Sequence, residues 1–274
     1  MIQDIAPSKL NNSYSARRMQ EGDLLLHFDP EGRVLVREKE GKISFLKAEA
    51  ADCGGENVYL FSIDEMFFYL SPDPALREKE GFDYRPLREL RRTCIGKEVF
   101  AAYTAYHLWK WYTDHRFCGK CAAPLAHSDK ERALVCPTCG GTFYPRINPA
   151  VIVGVRKGEH LLITRYRNGY QHNALVAGFT EIGETLEETV AREVMEETGV
   201  RVKNIRYYKS QPWGIAQDIL VGFYCDADGD GEIRMDETEL KYAEWVKRED
   251  VILQPNNLSL TNEMMRMFKE GREV

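Results

Sequence analysis

The sequence predicts an α+β protein, because strand-like runs and helix-like patterns are interleaved along the chain. The interleaving is clearest in the second half, where a buried-strand run at 150–155, a turn at 157–159 and an apolar run at 161–164 precede an acidic helix. Two Cys-x-x-Cys pairs lie just before these runs. We therefore expect an N-terminal domain over residues 1–96, a connecting helix with a metal-binding segment over 97–144, and a third domain over 145–274.

Composition limits the classes of function. A chain of 274 residues suits two or three domains, and 43% hydrophobic residues are ample for packed cores. The net charge of −6 argues against a general nucleic-acid binder, which is usually basic. The first residues show no secretory signal, and no apolar run is long enough to span a membrane. We expect a cytoplasmic protein without a membrane partner.

Each element in turn has a local signal. The first segment carries short strand-like runs at 23–28 and 66–70, and residues 97–115 predict a helix. The bulky side chains of that helix predict a core or interface role, and they are Val99, Phe100, Tyr103, Tyr106, Trp109 and Trp111. Further strands are predicted near 205–209 and 219–225, and a last helix near 260–270.

Four of the seven cysteines form two Cys-x-x-Cys pairs. Four thiolates suit a tetrahedral Zn²⁺ without an open position, which is a structural site. Free thiols are the alternative, and disulfides fit a reducing compartment poorly. Lysines, arginines and acids alternate around the pairs, so they do not form a convincing basic patch. We expect turns at Gly119 and Gly140 and zinc bound by Cys118, Cys121, Cys136 and Cys139.

Three glutamates, Glu193, Glu196 and Glu197, stand at positions i, i+3 and i+4 and share one helix face. Like charges at this spacing cost an isolated helix a few tenths of a kcal/mol. A chain that clusters them therefore needs a counter-charge, and hard divalent cations prefer oxygen ligands. A solvated acidic face is the alternative reading of a charge run.

The full pattern from Gly178 to Val200 resembles the Nudix box of the Nudix hydrolases. The resemblance implies an α/β/α sandwich for the third domain and a divalent cation, Mg²⁺ or Mn²⁺, that serves pyrophosphate hydrolysis. It implies that Glu193, Glu196 and Glu197 are catalytic. Glu193 and Glu197 would be the principal cation ligands, completed by Glu196 and by the backbone carbonyl of Ala177. Arg192 would position a carboxylate through a salt bridge, and Gly199 suits the end of the helix.

Two further features resemble the NADH pyrophosphatase (NAD-capped RNA hydrolase) family within the Nudix hydrolases. A zinc ribbon precedes the box, and the sequence Ser-Gln-Pro-Trp at 210–213 follows it. The family implies cleavage of NAD(H) to NMN(H) and AMP, removal of NAD caps from RNA, and a homodimer with composite sites. The second half of its signature differs, because residues 214–216 read Gly-Ile-Ala where the family has Pro-Phe-Pro.

The Gly-Ile-Ala sequence lies in the part of the family signature that contacts the substrate, so the sequence does not decide which dinucleotide is preferred. ADP-ribose, a dinucleoside polyphosphate or FAD are alternative substrates, and a nucleotide-sensing protein without activity is a less favoured alternative. Carried over onto this sequence, the candidate substrate contacts are Tyr144, Phe179 and Trp213 for base stacking, Gln211 for an amide or ribose edge, Thr261, and Arg88 for a phosphate. Glu239 matches an additional metal-binding glutamate of the family, with Glu237 as a near neighbour.

The acidic stretch 226–237 fits the spacing of a calcium-binding EF-hand loop. A predicted strand precedes it, however, where an EF-hand requires a helix. The family resemblance implies a β-hairpin here, with residues 232–235 as the return strand. We therefore predict a solvated acidic turn, with calcium binding as the alternative.

Overall fold

The protein is described by a computed structural model over residues 1–169 and 171–273, with the backbone alone at residues 54 and 78. The chain forms two units. The C-terminal unit comprises Met1–Gln3, Ile147–Trp213 and Asp218–Val274, and the N-terminal unit comprises Asp4–Arg146 and Gly214–Gln217. The boundary predicted between residues 96 and 97 lies inside the N-terminal unit and stays a prediction.

The C-terminal unit is built on one mixed sheet. Its strands run in the order β15-β16-β12-β13-β17, with β14 paired to β12, and β12 pairs with β16 in parallel. The strands predicted at 150–155, 161–164, 205–209 and 219–225 and the two predicted helices of this segment are confirmed. The elements are β12 (Asn148–Lys157), β13 (His160–Tyr166), β14 (Val176–Phe179), α3 (Leu186–Thr198), β15 (Val202–Trp213), β16 (Asp218–Ala227), β17 (Leu240–Lys247) and α4 (Leu260–Lys269).

Alternation along β12 divides the core of this unit into two layers. Val151, Val153 and Val155 face α3 and pack with Val190 and Val194 of that helix. Ile152 points to the opposite face and packs with Met264, Met265 and Phe268 of α4. A sheet with a helix on each face is the α/β/α sandwich that the resemblance implied.

Local signals fix both ends of α3. The Thr185 side chain accepts the amide of Glu188, and the Glu188 carboxylate accepts the amide of Thr185, which makes a capping box. Gly199 ends the helix at φ 70°, the left-handed conformation that glycine adopts without strain. The start and the stop of the acidic helix are therefore encoded beside it in the sequence, and the expectation for Gly199 is confirmed.

The predicted return strand at 232–235 is wrong. Residues 231–236 have no regular secondary structure. The amide of Arg234 donates to the carbonyl of Thr198 at 2.7 Å, and the amide of Asp236 donates to the carbonyl of Glu197 at 2.9 Å. The last carbonyls of a helix lack partners within it, and here they take the amides that a hairpin would have used.

The N-terminal unit contains a five-stranded sheet in the order β1-β6-β7-β2-β5 and two three-stranded sheets, β4-β3-β8 and β11-β10-β9. The helix predicted at 97–115 is confirmed as α2, whose Trp111 is fully buried. The elements are β1 (Leu10–Asn11), β2 (Leu24–Leu26), β3 (Val34–Lys39), β4 (Lys42–Ser44), β5 (Leu46–Lys47), β6 (Val58–Ile63), β7 (Met66–Leu70), β8 (Asp83–Arg85), α1 (Leu87–Thr93), α2 (Lys97–Asp114), β9 (Ala126–His127), β10 (Leu134–Val135) and β11 (Thr142–Phe143).

Aromatic side chains connect α2 to the rest of its unit. Phe28 stacks on Trp109 at 5.1 Å between ring centroids and meets the edge of Tyr106 at 5.8 Å. These contacts account for Tyr106 and Trp109 among the bulky residues that the sequence placed on this helix. In the part of the chain that the structure describes, no helix is both long and apolar enough to cross a membrane.

Candidate active site and metal centres

Two residues of α3, Glu193 and Glu197, and the turn residue Glu239 form what we call the carboxylate cluster. Glu197 is 3% exposed, Glu193 is half-buried and Glu239 is exposed. The three charges act on one another, because Glu193 and Glu239 both raise the pKa of Glu197. Three of the carboxylates that the sequence predicted as cation ligands are therefore near enough for their charges to interact, although their binding atoms do not all lie within 4.8 Å of one another.

Glu197 is the most strongly perturbed member of the cluster. Burial is the largest cause, and with the charges of Glu193 and Glu239 it raises the pKa of Glu197 to about 8, against an opposing amide hydrogen bond from Ala177. Its Oε2 is buried and accepts no hydrogen bond from any residue that the structure describes. A buried carboxylate oxygen without a partner is costly, and a bound cation would satisfy it. The residues present therefore fit a divalent cation.

Gly178, at the end of β14, lies directly against Glu193. A Cβ atom added at Gly178 would stand 1.9 Å from the carboxyl carbon of Glu193 and 2.1 Å from its Oε1. No side chain can occupy that space while Glu193 keeps its position. Burial raises the pKa of Glu193 despite a hydrogen bond from Arg192. The first glycine of the motif therefore provides the space that the carboxylate occupies.

Arg192 forms the predicted salt bridge, and it does so with three glutamates and not with one. Its guanidinium contacts Glu184 at 2.6 Å, Glu193 at 2.7 Å and Glu196 at 3.0 Å, and it donates to the carbonyl of Phe179 at 2.9 Å. The hydrogen bond from Arg192 is the largest of the causes that lower the pKa of Glu184 to about 2. Glu196 therefore lies on the exposed side of this network, while Glu197 faces the interior.

The choice between Glu239 and Glu237 was open in the sequence. Glu239 is among the charges that raise the pKa values of Glu193 and Glu197, and Glu237 is not. The carbonyl of Glu237 accepts a hydrogen bond from the Arg167 side chain at 2.7 Å. The charge influence on Glu193 and Glu197 therefore favours Glu239 over Glu237 as the member of the cluster. One neighbour was missed by the sequence reasoning altogether: Tyr166, at the end of β13, is reached by all three charges of the cluster.

The cysteine quartet is assembled. Cys118 and Cys139 lie 3.6 Å apart between sulfur atoms, and Cys121 and Cys136 lie 3.5 Å apart. Over residues 1–169 and 171–273, it is the one group of three or more candidate ligands whose binding atoms all lie within 4.8 Å of one another. The amide of Cys139 donates to the Cys136 sulfur at 3.4 Å and is the main cause that lowers the pKa of that thiol to about 6. Four converging sulfurs suit tetrahedral zinc.

The two knuckles of the quartet use different residues for the same turn. Gly140 has φ 73°, and its amide donates to the carbonyl of Cys136 at 3.0 Å. In the first knuckle the left-handed residue is Ala122, with φ 61°, and its amide donates to the carbonyl of Cys118 at 2.8 Å. Turns are therefore present at both predicted places, because Gly119 lies within the first turn and Gly140 closes the second, while the left-handed residue of the first knuckle is Ala122.

The predicted substrate contacts are divided between the two units. In the C-terminal unit, Phe179 follows Gly178 and is 53% exposed, Trp213 ends β15, and Thr261 lies in the first turn of α4. In the N-terminal unit, Tyr144 is 59% exposed and its hydroxyl donates to Glu131 at 3.1 Å, while Arg88 is exposed on α1.

Gln211 differs from the other predicted contacts. It is fully buried, and its Nε2 donates to the carbonyl of Leu258 at 2.9 Å and to the Gln3 side chain at 3.0 Å. Its Oε1 accepts the amide of Leu260 at 2.7 Å. Each polar atom of the side chain is thus used inside the unit. The geometry favours a structural role for Gln211 over the substrate contact predicted from the sequence.

The Gly-Ile-Ala departure from the family signature forms a tight turn that belongs to the N-terminal unit. A Cβ atom added at Gly214 would stand 2.0 Å from the carbonyl oxygen of Tyr103 on α2. Gln217 closes the turn with φ 61°, and its side chain accepts a hydrogen bond from Arg146. Only glycine fits the first position, so this turn cannot take the shape of Pro-Phe-Pro.

The acidic loop is neutralised by cationic side chains of the same unit. Asp226 accepts hydrogen bonds from Arg156 at 2.7 Å and from Arg206 at 3.2 Å, and Asp228 pairs with Lys203 at 2.9 Å. Burial alone would raise the pKa of Asp226, but these bonds and one from Asn204 lower it to about 2. The predicted solvated acidic turn fits this arrangement better than a calcium loop.

Comparison with known proteins gives two adjoining domain matches. Residues 145–268 match the NUDIX domain, and residues 114–144 match the NADH pyrophosphatase zinc ribbon domain. The first match contains the carboxylate cluster and the second contains the cysteine quartet. Both expected domain identities are confirmed, as is the α+β class.

The chain is also similar to relatives that are named for an activity. A protein of Klebsiella pneumoniae subsp. pneumoniae named NAD-capped RNA hydrolase NudC is 46% identical over 151 residues, which are 54% of this chain and 58% of that protein. Its namesake from Salmonella typhi is 44% identical over the same extent. The chain thus matches little more than half the length of these relatives. A NUDIX hydrolase structure from Nitrosomonas europaea has a TM-score of 0.49 and 21% identity, and the match covers 57% of this chain and 91% of that one.

Proposed function

We propose that this chain, in which a Nudix domain follows an NADH pyrophosphatase zinc ribbon, hydrolyses the pyrophosphate of NAD or NADH to NMN or NMNH and AMP. The observation that carries the proposal is the buried Glu197 carboxylate, whose Oε2 has no partner among the described residues and which lies beside two further carboxylates. NAD-capped RNA is a second substrate in the proposal, because the named relatives act on it.

Glu193, Glu197 and Glu239 would hold a catalytic Mg²⁺ or Mn²⁺, together with the carbonyl of Ala177. Such a cation would neutralise phosphate charge and lower the pKa of a bound water. Glu196 lies at the exposed edge of the site and is tied to Arg192. Arg192 keeps the acids of the helix apart and oriented, so that the buried Glu197 is left for the cation.

Phe179 is the best-placed candidate for base stacking in the C-terminal unit. It follows the glycine that contacts Glu193, and it is 53% exposed although it is a large apolar side chain. An exposed aromatic ring beside a catalytic carboxylate can stack on any base. Tyr144, Trp213, Thr261 and Arg88 stay in the proposal as further contacts, while Gln211 is assigned to the scaffold.

We include a homodimer in the proposal, because the C-terminal unit exposes several large apolar side chains near the motif. Phe179 is 53% exposed, Met195 40% and Ile182 fully. Exposed apolar side chains of this kind are common at protein interfaces. Light scattering after gel filtration should give twice the mass of 31.6 kDa, and a monomer at micromolar concentration would contradict the dimer. We also propose a cytoplasmic location, because a reducing compartment suits the zinc-bound thiolates.

A change of substrate is the second candidate function, and the turn at 214–217 favours it. Gly214 has no room for a side chain, so the loop after Trp213 has a shape that the family signature does not have. ADP-ribose, FAD and dinucleoside polyphosphates keep the same pyrophosphate chemistry. A nucleotide sensor without activity is disfavoured, because a sensor has no need for the intact glutamate set.

The test is a comparison of kcat/KM for NADH, NAD⁺, ADP-ribose, FAD and diadenosine polyphosphates, each with Mg²⁺ and with Mn²⁺. We expect NADH or NAD⁺ to give the highest value. If they were among the poorest while another dinucleotide were cleaved well, the second candidate would replace the first. A 5′-NAD-capped oligonucleotide, with a triphosphate-capped one as its control, tests the RNA substrate.

A further inference from the structure

The N-terminal unit contains a cavity of about 410 Å³. Small-molecule sites in proteins have volumes of roughly 300–1,000 Å³, so the cavity is large enough for a ligand. Its lining comes from residues 14–19, from residues between 53 and 59, from Tyr112 of α2 and from residues between 127 and 133 of the ribbon, all in this unit. The proposed hydrolysis gives the cavity no role, because the carboxylate cluster belongs to the other unit.

Aromatic side chains form much of the lining. The rings of Tyr112 and His127 lie 4.9 Å apart between centroids, and their planes are tilted by 45°. Tyr59 is 8% exposed, and the hydroxyl of Tyr14 donates to the carbonyl of Ser128 at 2.9 Å, so both of these rings are held in place. Aromatic side chains stack on the face of any base. The cavity therefore suits a ligand with a planar ring.

Two of these aromatic residues keep an unused polar group. In the part of the chain that the structure describes, the hydroxyls of Tyr59 and Tyr112 make no hydrogen bond. The Tyr59 side chain is almost entirely buried, yet its hydroxyl is not enclosed by protein atoms. A ligand in the cavity with hydrogen-bonding atoms at the edge of its ring would give both hydroxyls a partner.

Two arginines at the cavity have no carboxylate partner. Arg18 lines it, is exposed, and among residues 1–169 and 171–273 makes no hydrogen bond or ion pair. Arg132 stands between two lining residues, and its guanidinium donates to the side-chain oxygen of Asn12 at 2.8 Å and to the carbonyl of Leu60. Both acceptors are neutral, so within the described chain the charge of Arg132 is not paired.

The other charges of the lining do not cancel these two. Arg17 is paired with Asp23 at 3.1 Å. Of the described lining residues, Glu131 alone carries a carboxylate. Two unpaired arginines against one glutamate leave a positive charge, and arginine binds phosphate oxygens through charge-assisted hydrogen bonds. The ligand should therefore carry an anionic group such as a phosphate.

We propose that this cavity binds a nucleoside 5′-monophosphate, with its base against the rings of Tyr112 and His127 and its phosphate at Arg18. Such a ligand combines a planar ring, polar atoms at the ring edge and one anionic group. A nucleic-acid polymer fits less well, because the net charge of the chain is −6. The inference does not rest on the proposed function, since it assigns nothing to the carboxylate cluster.

The experiment is photoaffinity labelling of zinc-loaded full-length protein with 8-azido-AMP, followed by mass spectrometry of the labelled peptides. We expect saturable label on peptides that contain Tyr59, Tyr112 or His127, and displacement of that label by AMP. Adenosine lacks the phosphate and ribose 5-phosphate lacks the base, so each should displace the label about tenfold less well or worse. Because label is measured peptide by peptide, a nucleotide bound in the C-terminal unit is counted separately.

Two variants divide the ligand between its parts. Arg18→Ala should weaken AMP about tenfold at the cavity peptides and leave adenosine unchanged, because only the phosphate contact is lost. His127→Ala should weaken AMP and adenosine by the same factor, about tenfold, because only ring stacking is lost. The matched control is Arg92→Ala, which removes an exposed arginine of α1 in the same unit but outside the lining and should change neither.

Thermal unfolding checks that each variant is folded, and Arg18 is exposed, so its removal should not disturb the fold. The inference is overturned if saturable label is absent from the cavity peptides, if AMP does not displace it, or if Arg18→Ala binds AMP as Arg92→Ala does. A protein that hydrolyses no dinucleotide but takes up label in the cavity would reject the proposed function alone.

Discussion

The C-terminal unit contains two acidic segments that look alike in sequence and differ in what surrounds them. On α3, Glu197 is buried, and burial with neighbouring carboxylates raises its pKa to about 8. In the loop at 226–230, Asp226 is paired with two arginines, and its pKa is lowered to about 2. The density of acidic residues is therefore a poor sign of a cation site, and the absence of cationic neighbours around a buried carboxylate is a better one.

The cysteine quartet is a third metal-binding candidate, and its loss should have a larger effect than any change in the two acidic segments. Structural zinc contributes roughly 10–16 kcal/mol to the folding of small zinc domains. Cys136→Ser should therefore lose the zinc and unfold the ribbon, as measured by metal analysis and by thermal unfolding. Cys53→Ser is the matched control, since Cys53 is a free, half-buried thiol outside the quartet. One zinc per chain retained in Cys136→Ser would contradict the assignment.

The comparison itself is tested next, by the same kind of substitution in both segments. Glu197→Gln removes the buried carboxyl group, and we expect kcat/KM for NADH to fall on the order of 10³-fold, which corresponds to a loss of about 4 kcal/mol. Its melting temperature without a divalent cation should change little at pH 7, because a carboxyl group with a pKa of about 8 is mostly protonated and neutral there, as the amide is.

Asp228→Asn is the counterpart in the acidic loop and should change kcat/KM less than twofold. Activity in Glu197→Gln close to that of the wild type, or a comparable loss in Asp228→Asn, would remove the distinction between the two segments.

Gly178→Ala tests whether the position of Glu193 in the carboxylate cluster matters for activity. The new methyl group would overlap the Glu193 carboxylate, so this carboxylate must move by an ångström or more. A displacement of that size costs roughly 10² in rate. Kinetics should show the loss in kcat, with little change in melting temperature. Gly119→Ala is the control, because nothing lies within 4 Å of its added methyl group. Full activity in Gly178→Ala would mean that Glu193 need not occupy this space.

Asp226→Asn tests the pairing of the acidic loop with its arginines, and its expected effect, on stability, is the smallest. The folded-state pKa of Asp226, about 2, lies below its ordinary 3.8, so the pair stabilises the protein above pH 4 and loses this contribution as the pH falls toward 2. The variant should lose about 1–2 kcal/mol at pH 7 in urea unfolding, with the difference shrinking at pH 3. A difference that is the same at both pH values would show that Asp226 acts through packing.

Much of this architecture is local and could be predicted. The period-two pattern of β12, the capping box at Thr185 and Gly199 fix elements from neighbouring residues alone. The glutamates of α3 were found for the same reason, because a helix face is defined by spacing. The pairing of the acidic loop was not predictable, since Arg156 meets Asp226 only through the parallel register of β12 and β16.

The remaining misses have the same origin. The return strand at 232–235 was replaced by contacts with the end of α3, and Gln211 became a core residue through bonds to Gln3 and to Leu258. Tyr166 acquires its place from a shift in strand pairing. None of these partners is near in sequence, and no pattern within one element indicates them.

The turn at 214–217 has a practical consequence for handling the protein. The chain leaves the C-terminal unit after Trp213, contributes four residues to the other unit, and returns at Asp218. Cleavage at the junction after Arg146 would therefore not yield two self-sufficient fragments, because a segment starting at Ile147 would carry a loop whose packing partner, Tyr103, had been removed. Fragment expression and domain exchange with proteins that contain a NUDIX domain should move this turn together with α2.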